Sequence, residues 1–314
     1  MLYFIVNKKA RSGRGQSVWH EVMEVLHTKN IPYRAWVTGH EGHAGELAVS
    51  ICNEAQETAP VCIVVVGGDG TINEVINGIP DISKVRLGVI PTGSGNDFCR
   101  GLGIKGTPSE LIEQILATTE SETPSMDLGK VSWNHGTESR LFAISSGVGL
   151  DALVCKKALK SRLKDTLNWM HLGKLTYVLL TLQSLFTLQT ADGRVRFGAG
   201  GTSWIPKKKT ICVSAMNFAK EGGGVPMAPD ADAFDGRLSV CSICGIPKWR
   251  TFFLLPLLVA GKHLGHRGIE VNDAESITVH LKKPMVLHAD GEYCGDVTEI
   301  EYSCIPGALN LLKK

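Results

Sequence analysis

The chain has 314 residues, 43% hydrophobic and 20% charged, with a formal net charge of +2. That length favours two domains over one small core, and the balance is that of a globular protein rather than a disordered one. The charge carries no nucleic-acid signal, so any basic partner surface has to be local. Nine cysteines, an odd number scattered without framework spacing, read as reduced thiols in a cytoplasmic protein. The opening "MLYFIVNKK" lacks the pattern of a signal peptide. The apolar tracts at 176–188 and 251–261 fall short of the roughly 20 residues that span a bilayer. The expectation is a soluble protein that can still touch a membrane surface.

In chain order, "LYFIV" (2–6) reads as a buried strand and "NKKARSGRG" as a polar turn. "QSVWHEVMEVLHTK" places Trp19, Val22 and Leu26 at helical spacing. "YRAWV" (33–37), "VCIVVV" (61–66) and "RLGVI" (86–90) are three further strands, with a helix expected over "HAGELAVSICNEAQ". Thr107, Pro108 and Glu110 supply an N-cap, a first-turn proline and a capping-box acid for the next helix. Such alternation argues for a parallel, Rossmann-like α/β sheet covered on both faces, which is why its strands are nearly all apolar. In such sheets ligands lie beyond the carboxyl ends of the strands. "NKKARSGRG", Thr38, "GGDGT" and "PTGSGNDF" each follow a strand, so the four loops should converge.

The pattern changes near residue 124. "MDLGKVSW", "SRLFAISSGVGLD", "TICVSAMN", "RLSVCSIC", "SITVHL", "PMVLHADGE" and "TEIEYSC" are extended runs separated by turns, as in an antiparallel β-sandwich. Helical insertions are expected at about 151–189 and 247–263. The expected domains are 1–124, completed by 305–314, and 125–304.

The chemistry concentrates in the Gly-rich turns. Glycines let backbone N–H groups approach a phosphate, and the helix opening at Thr71 adds a favourable dipole. Asp69 could bind magnesium or accept a proton, or it could simply cap the helix; the four residues GGDG leave both readings open. "PTGSGNDF" adds Ser94 and Asn96 as donors and Asp97 as a second acid. Two nearby carboxylates repel one another unless a metal ion joins them, and magnesium also bridges phosphate oxygens. An Asn-Asp turn without a ligand is the alternative. "GLGIKG" (101–106) fits G-x-G-x-x-G but follows a loop, so it reads as a turn, and no P-loop sequence is present. Cys241 and Cys244 form a C-x-x-C, but in a strand their thiols would point to opposite faces. His263 with His266, and His40 with His43, could pair on a metal, but read first as solvated or capping side chains.

"GGDGTINEVINGI", "PTGSGNDF", "APDADAFDGRLSV" and "HADGE", in this order and spacing, resemble the bacterial diacylglycerol-kinase-type lipid kinases, relatives of the sphingosine kinases. The likeness runs from Asn7 to the closing "PGALNLL". GGDG alone would also admit NAD kinases and phosphofructokinases. The resemblance implies a diacylglycerol kinase/NAD kinase-like fold, with ATP and Mg2+ held in the cleft between an α/β nucleotide domain and a β-sandwich lipid domain. Carried over to this sequence, it implies ATP contacts at Ala10, Arg11, Ser12, Gly13, Arg14, Thr38, Gly67, Gly68, Asp69, Gly70, Thr71, Ile72, Asn73 and Ser94. It implies that Asp69 and Asp97 hold catalytic magnesium through water, with Glu292 as general base and Asp290 as its acidic neighbour. A separate structural metal would take the Asp235 carboxylate and the backbone carbonyls of Asp232 and Arg237; by itself that stretch is an ordinary Asp-Gly hairpin turn. The sequence departs from the family where a proline often follows the early asparagine, since this chain reads Asn7-Lys8-Lys9.

The expected reaction is transfer of the ATP γ-phosphoryl group to a lipid hydroxyl, most simply that of diacylglycerol, giving phosphatidic acid. A soluble acceptor such as NAD is the alternative. The acceptor is met at a membrane surface, so the expected location is cytoplasmic and peripheral to a membrane. "KKALKSRLKDTLNWMHLGKLTYVLL" (156–180) mixes cations with Trp169, Met170 and Leu172, which suits an anionic interface or, equally, amphipathic helices covering a sheet. A homodimer stays open.

Overall fold

The computed structural model describes residues 1–55, 60–118, 124–160, 173–198, 201 and 203–313. They form two compact units, Met1–Leu128 with Pro306–Lys314, and Gly129–Ile305.

In the first unit β1 (Leu2–Val6), β2 (Tyr33–Val37), β3 (Val61–Gly67) and β4 (Val85–Pro91) form a parallel sheet in the order β4-β3-β1-β2. Leu2, Phe4 and Val6 alternate with Ile5, so one set faces α1 (Ala10–Thr28) and α5 (Pro108–Thr118). There Phe4, Val64, Val66 and Ile90 pack with Trp19, Val22, Leu26, Ile112 and Ile115. Full burial of each such side chain contributes about 1.5–3 kcal/mol. Elsewhere α2 (His43–Glu54) packs on α3 (Asp69–Gly78), where Gly45 and Gly78 meet backbone to backbone. The expected capping box forms: Glu110 accepts from Thr107 N–H at 2.7 Å and Thr107 Oγ1 accepts from Glu110 N–H at 3.2 Å. One expectation fails here. Ala10–Arg14 belong to the first turns of α1 rather than to a loop, with Arg11 (φ 47°) and Gly13 (φ 96°) left-handed within them. The glycines and cations that suggest a turn distort this helix start without abolishing it.

The second unit holds β6 (Glu138–Phe142), β7 (Ser145–Gly149), β8 (Ala191–Phe197), β9 (Ile205–Thr210), β10 (Cys212–Met216), β11 (Leu238–Ile243), β12 (Ile269–Ala274) and β13 (Ser276–Ala289). Two further strands, β5 (Ser125–Trp133) and β14 (Glu292–Leu311), have residues in both units. Among the described residues of the second unit, the strands of the run β12-β11-β10-β7-β13-β14 pair antiparallel. "SITVHL" and "PMVLHADGE", expected as separate runs, belong to one strand up to Ala289, and a register shift between His280 and Met285 absorbs Pro284. "SRLFAISSGVGLD" divides the other way, into β6, β7 and the start of α6 (Leu150–Lys160). Helix α7 (Gly173–Thr187) and helix α8 (Lys248–Val259) cover the core of this unit. At the chain's end, Asn310 and Leu311 of β14 pair in parallel with Arg86 and Leu87 of β4.

Candidate active site

The turns after β3 and β4 are joined by their glycines. Thr92 N–H donates to Gly67 O at 2.9 Å. A Cβ on Gly93 would lie 2.8 Å from Gly68 Cα, and one on Gly68 3.1 Å from Gly93 Cα, so the two backbones touch where any side chain would part them. Asn7 Nδ2 donates to Thr71 Oγ1 at 3.1 Å, tying the end of β1 to the same place.

Asp69 opens α3, and its carboxylate reaches across to α4 (Asp97–Gly101). Oδ2 accepts from Asp97 N–H and Oδ1 from Phe98 N–H, both at 3.1 Å. The acid caps a helix, but a neighbouring one. Asn96 enters the left-handed region (φ 52°) to make the turn, and its Nδ2 donates to Gly93 O at 3.0 Å. The buried Asp97 carboxylate pairs with Arg100, whose Nη2 also holds Gly95 O at 2.8 Å. A Cβ on Gly95 would lie 3.2 Å from Asp69 Oδ2 and 3.5 Å from Asp97 Oδ2. The two carboxylates therefore converge over Gly95. Ser94 is exposed, while Ile72 and Asn73 are buried within α3, where Ile72 N–H donates to Gly68 O at 3.0 Å. Thr38 N–H is held by Val6 O at 3.0 Å, at the end of β1.

In the second unit "HADGE" closes the β13–β14 hairpin. Ala289 pairs with Glu292, and Asp290 (φ 48°) with Gly291 (φ 89°) makes a two-residue turn of the doubly left-handed kind. The Asp290 carboxylate accepts three backbone N–H groups, from Ala143 (2.8 Å), Ile144 (2.8 Å) and Ser145 (3.0 Å). Glu292, two residues on, is half-buried at the start of β14.

A buried polar cluster adjoins this hairpin. Ser145 Oγ donates to Glu221, which precedes the left-handed glycines 222–224. Asn217 Nδ2 donates to Ala143 O at 2.9 Å. Asp151 accepts from Ser214 Oγ and faces His288 Nε2 at 3.4 Å, a close polar contact too poorly aligned for a hydrogen bond. Gly291 N–H donates to His288 Nδ1 at 3.1 Å, which puts the ring proton on Nε2, toward Asp151. Burial alone would raise the Asp151 pKa, but the His288 ring and the Ser214 hydroxyl outweigh it and hold the carboxyl below its ordinary value. Sequence reasoning passes over Asp151, Glu221, Asn217 and His288. Asp151, Asn217 and His288 are polar residues inside apolar runs, and Glu221 lies between a lysine and three glycines.

The remaining candidates are less convergent. Asp232 Oδ1 accepts from Phe234 N–H (3.1 Å) and Asp235 Oδ1 from Arg237 N–H (2.9 Å), two successive side-chain-to-backbone turns on an exposed loop. Burial pushes the Cys241 thiol up to about 12 and raises Cys244 as well, so the C-x-x-C is two inert thiols. His263 is buried rather than solvated, with Nε2 on Met227 O at 3.1 Å, because the chain after α8 turns inward at that point. Among the described residues, His40, His43 and Glu46 have ligand atoms within 4.8 Å of one another. However, Gly39 N–H donates to His43 Nδ1, and the proton this leaves on Nε2 takes that ring out of metal ligation as it stands. Arg162, Lys164, Trp169, Met170 and Leu172 of the basic-aromatic segment lie outside the described residues.

The chain matches the diacylglycerol kinase catalytic domain over residues 1–131 and the YegS C-terminal NAD kinase beta sandwich-like domain over 144–313. It is 30% identical to a Bacillus subtilis (strain 168) protein named "Putative lipid kinase YtlR", covering 98% of each chain. It is 28% identical to a Mycobacterium tuberculosis (strain H37Rv) diacylglycerol kinase over 80% of this chain and 76% of that one. A crystal structure of a diacylglycerol kinase from Bacillus anthracis str. Sterne superposes with a TM-score of 0.68 at 19% identity, covering 100% of this chain and 96% of that one. An Archaeoglobus fulgidus NAD kinase solved with ATP reaches 0.51 at 14% identity, over 97% and 90% of the two chains, so the scaffold is shared with NAD kinases. Glycine-joined turns that hold two carboxylates together, followed by an antiparallel sandwich with an acidic hairpin, thus belong to a kinase: the chain is a member of the diacylglycerol kinase family of lipid kinases.

Proposed function

We propose that the chain transfers the γ-phosphoryl group of ATP to the hydroxyl of diacylglycerol, giving phosphatidic acid. The convergence of Asp69 and Asp97 over Gly95, beside backbone too close-packed for side chains, carries the phosphate half of this reading. The names of the relatives support the lipid half.

The donors around Gly95 are carboxylate oxygens, which fit a hard cation such as Mg2+. When bound, that ion would neutralise charge on the phosphates. The chain's own residues do the rest. Backbone N–H groups of residues 67–71 and the first turn of α1, Ala10 to Arg14, bind phosphate oxygens, and Ser94 and Thr38 add contacts to the nucleotide. Phosphoryl transfer needs positioning and charge balance more than covalent help, and the clamp from Asp69 onto α4 supplies the positioning. Glu292 accepts the proton of the attacking hydroxyl, and Asp290 fixes the hairpin that presents it. In the turn from Asp232 to Arg237, the Asp235 carboxylate and the Asp232 and Arg237 carbonyls would hold a structural cation, oxygen donors that suit a hard ion.

The test is γ-labelled ATP with Mg2+ and a panel of diacylglycerol, phosphatidylglycerol, a sphingoid base and NAD, with the product identified. Labelled phosphatidic acid that disappears with EDTA is expected. Transfer to NAD alone would overturn the proposal.

A further inference from the structure

Helix α8 is apolar on the side where a surface helix is normally polar. Thr251 and Leu258 are buried, and Leu254 and Leu255 pack against the core. Yet Trp249, Phe252, Phe253 and Pro256, at i, i+3, i+4 and i+7, form one outward stripe. Trp249 is 62% exposed and Phe253 65%. The rings pack on one another, Phe252 on Phe253 at 5.3 Å and Trp249 on Phe253 at 6.3 Å between centroids. Phe186 is 80% exposed at the end of α7, and Lys248 Nζ donates to Phe186 O (3.4 Å) and Leu188 O (2.7 Å), which holds that helix end beside the start of α8. Monomeric proteins seldom leave such a contiguous patch to water.

The charges along this stretch of chain have one sign. No Asp or Glu occurs from residue 236 to 269, while Lys248, Arg250, Lys262 and Arg267 do. Arg250, Lys262 and Arg267 are exposed, and Arg250 lies 5.7 Å from the Trp249 ring centre. A second copy packed symmetrically on this face would set these cations against themselves. An anionic lipid surface complements them, and Trp beside Arg suits the headgroup level.

We propose that the outer face of α8, with Phe186, docks the enzyme on an anionic bilayer, aromatic side chains in the interface and cations on the headgroups. This rests on the reading of the acceptor as a membrane lipid. No helix among the described residues is long and apolar enough to cross a membrane, so the contact is interfacial.

The test uses the full chain, co-sedimented with phosphatidylcholine vesicles with and without phosphatidylglycerol, and assayed on short-chain diacylglycerol in detergent micelles. Wild type should sediment with the anionic vesicles, less so at high salt. The double variant F252S/F253S should sediment about tenfold less, and R250E/K262E should lose the preference for phosphatidylglycerol. Both should keep their melting temperature and micellar turnover. Unchanged sedimentation of both variants overturns the docking face and leaves the lipid-kinase reading standing. Absence of lipid turnover in wild type, with sedimentation that still depends on α8, overturns that reading and leaves the face. A wild-type dimer that F252S/F253S converts to monomer without altering sedimentation assigns the face to self-association and overturns the proposal.

Discussion

At the scale of single residues, two acids of one motif sit in different surroundings. The Asp290 carboxylate is engaged by three backbone N–H groups, so it is a structural acceptor first. Replacing it by Asn removes one acceptor oxygen and turns an NH2 toward buried donors. Such mismatches cost about 1–3 kcal/mol each. Asp290→Asn should therefore lower the urea midpoint and turnover together, whereas Glu292→Gln should leave the midpoint unchanged and cut turnover about 100-fold or more, as loss of a general base does. Equal midpoints for the two variants would refute this division. The sequence presents "HADGE" only as a pair of acids. An Asp-Gly pair between extended runs is also a hairpin signal, as much at 290–291 as at 235–236, and it is the geometry that gives Asp290 its second duty. The donors at 143–145 lie some 145 residues away in the chain, beyond any local pattern.

At the scale of elements, the apolar runs of β1, β3 and β4 and the capping box of α5 are legible because each depends on neighbours in sequence. The first turns of α1 are not, since Arg11 and Gly13 take turn-like angles inside a helix. Nor is the clamp that Asp69 makes between α3 and α4, although the proximity of Asp69 and Asp97 follows from their loops ending adjacent parallel strands. Because both Asp69 oxygens accept backbone N–H groups, Asp69→Asn should not be purely catalytic. The expectation is loss of turnover by about 100-fold or more, with a stability cost of about 1–2 kcal/mol as one amide faces a donor. A coupled ADP assay and a denaturant melt on the same preparation measure both. An unaltered midpoint would show that the clamp contributes nothing, and near-normal turnover would remove Asp69 from the chemistry.

At the scale of the molecule, the chain begins and ends in the same unit. Residues 306–314 return to it, and Asn310 and Leu311 take the place beside β4. Gly307 N–H donates to the buried Asp127 at 2.7 Å, Asn310 Oδ1 accepts from Ser125 Oγ at 2.7 Å, and the Lys313 ammonium reaches Leu102 O. Leu309, Leu311 and Leu312 are buried, and Leu312 packs in the cluster with Phe4 and Trp19. "ALNLL" reads as an extended apolar run, but nothing in it names β4 as partner, more than 200 residues earlier. Removing a buried leucine costs about 2–5 kcal/mol, and domains are stable by only about 5–15 kcal/mol. Deleting residues 306–314 should therefore unfold the first unit, since it also leaves the edge of β4 unpaired. In brief trypsin digestion the truncated chain should release peptides from 1–128 well before those from 129–305, and the double substitution Leu311→Ala with Leu312→Ala should show the same order more slowly. If the truncated chain resists digestion like the full one, the closing strand is an ornament of the sheet and the first unit folds without it.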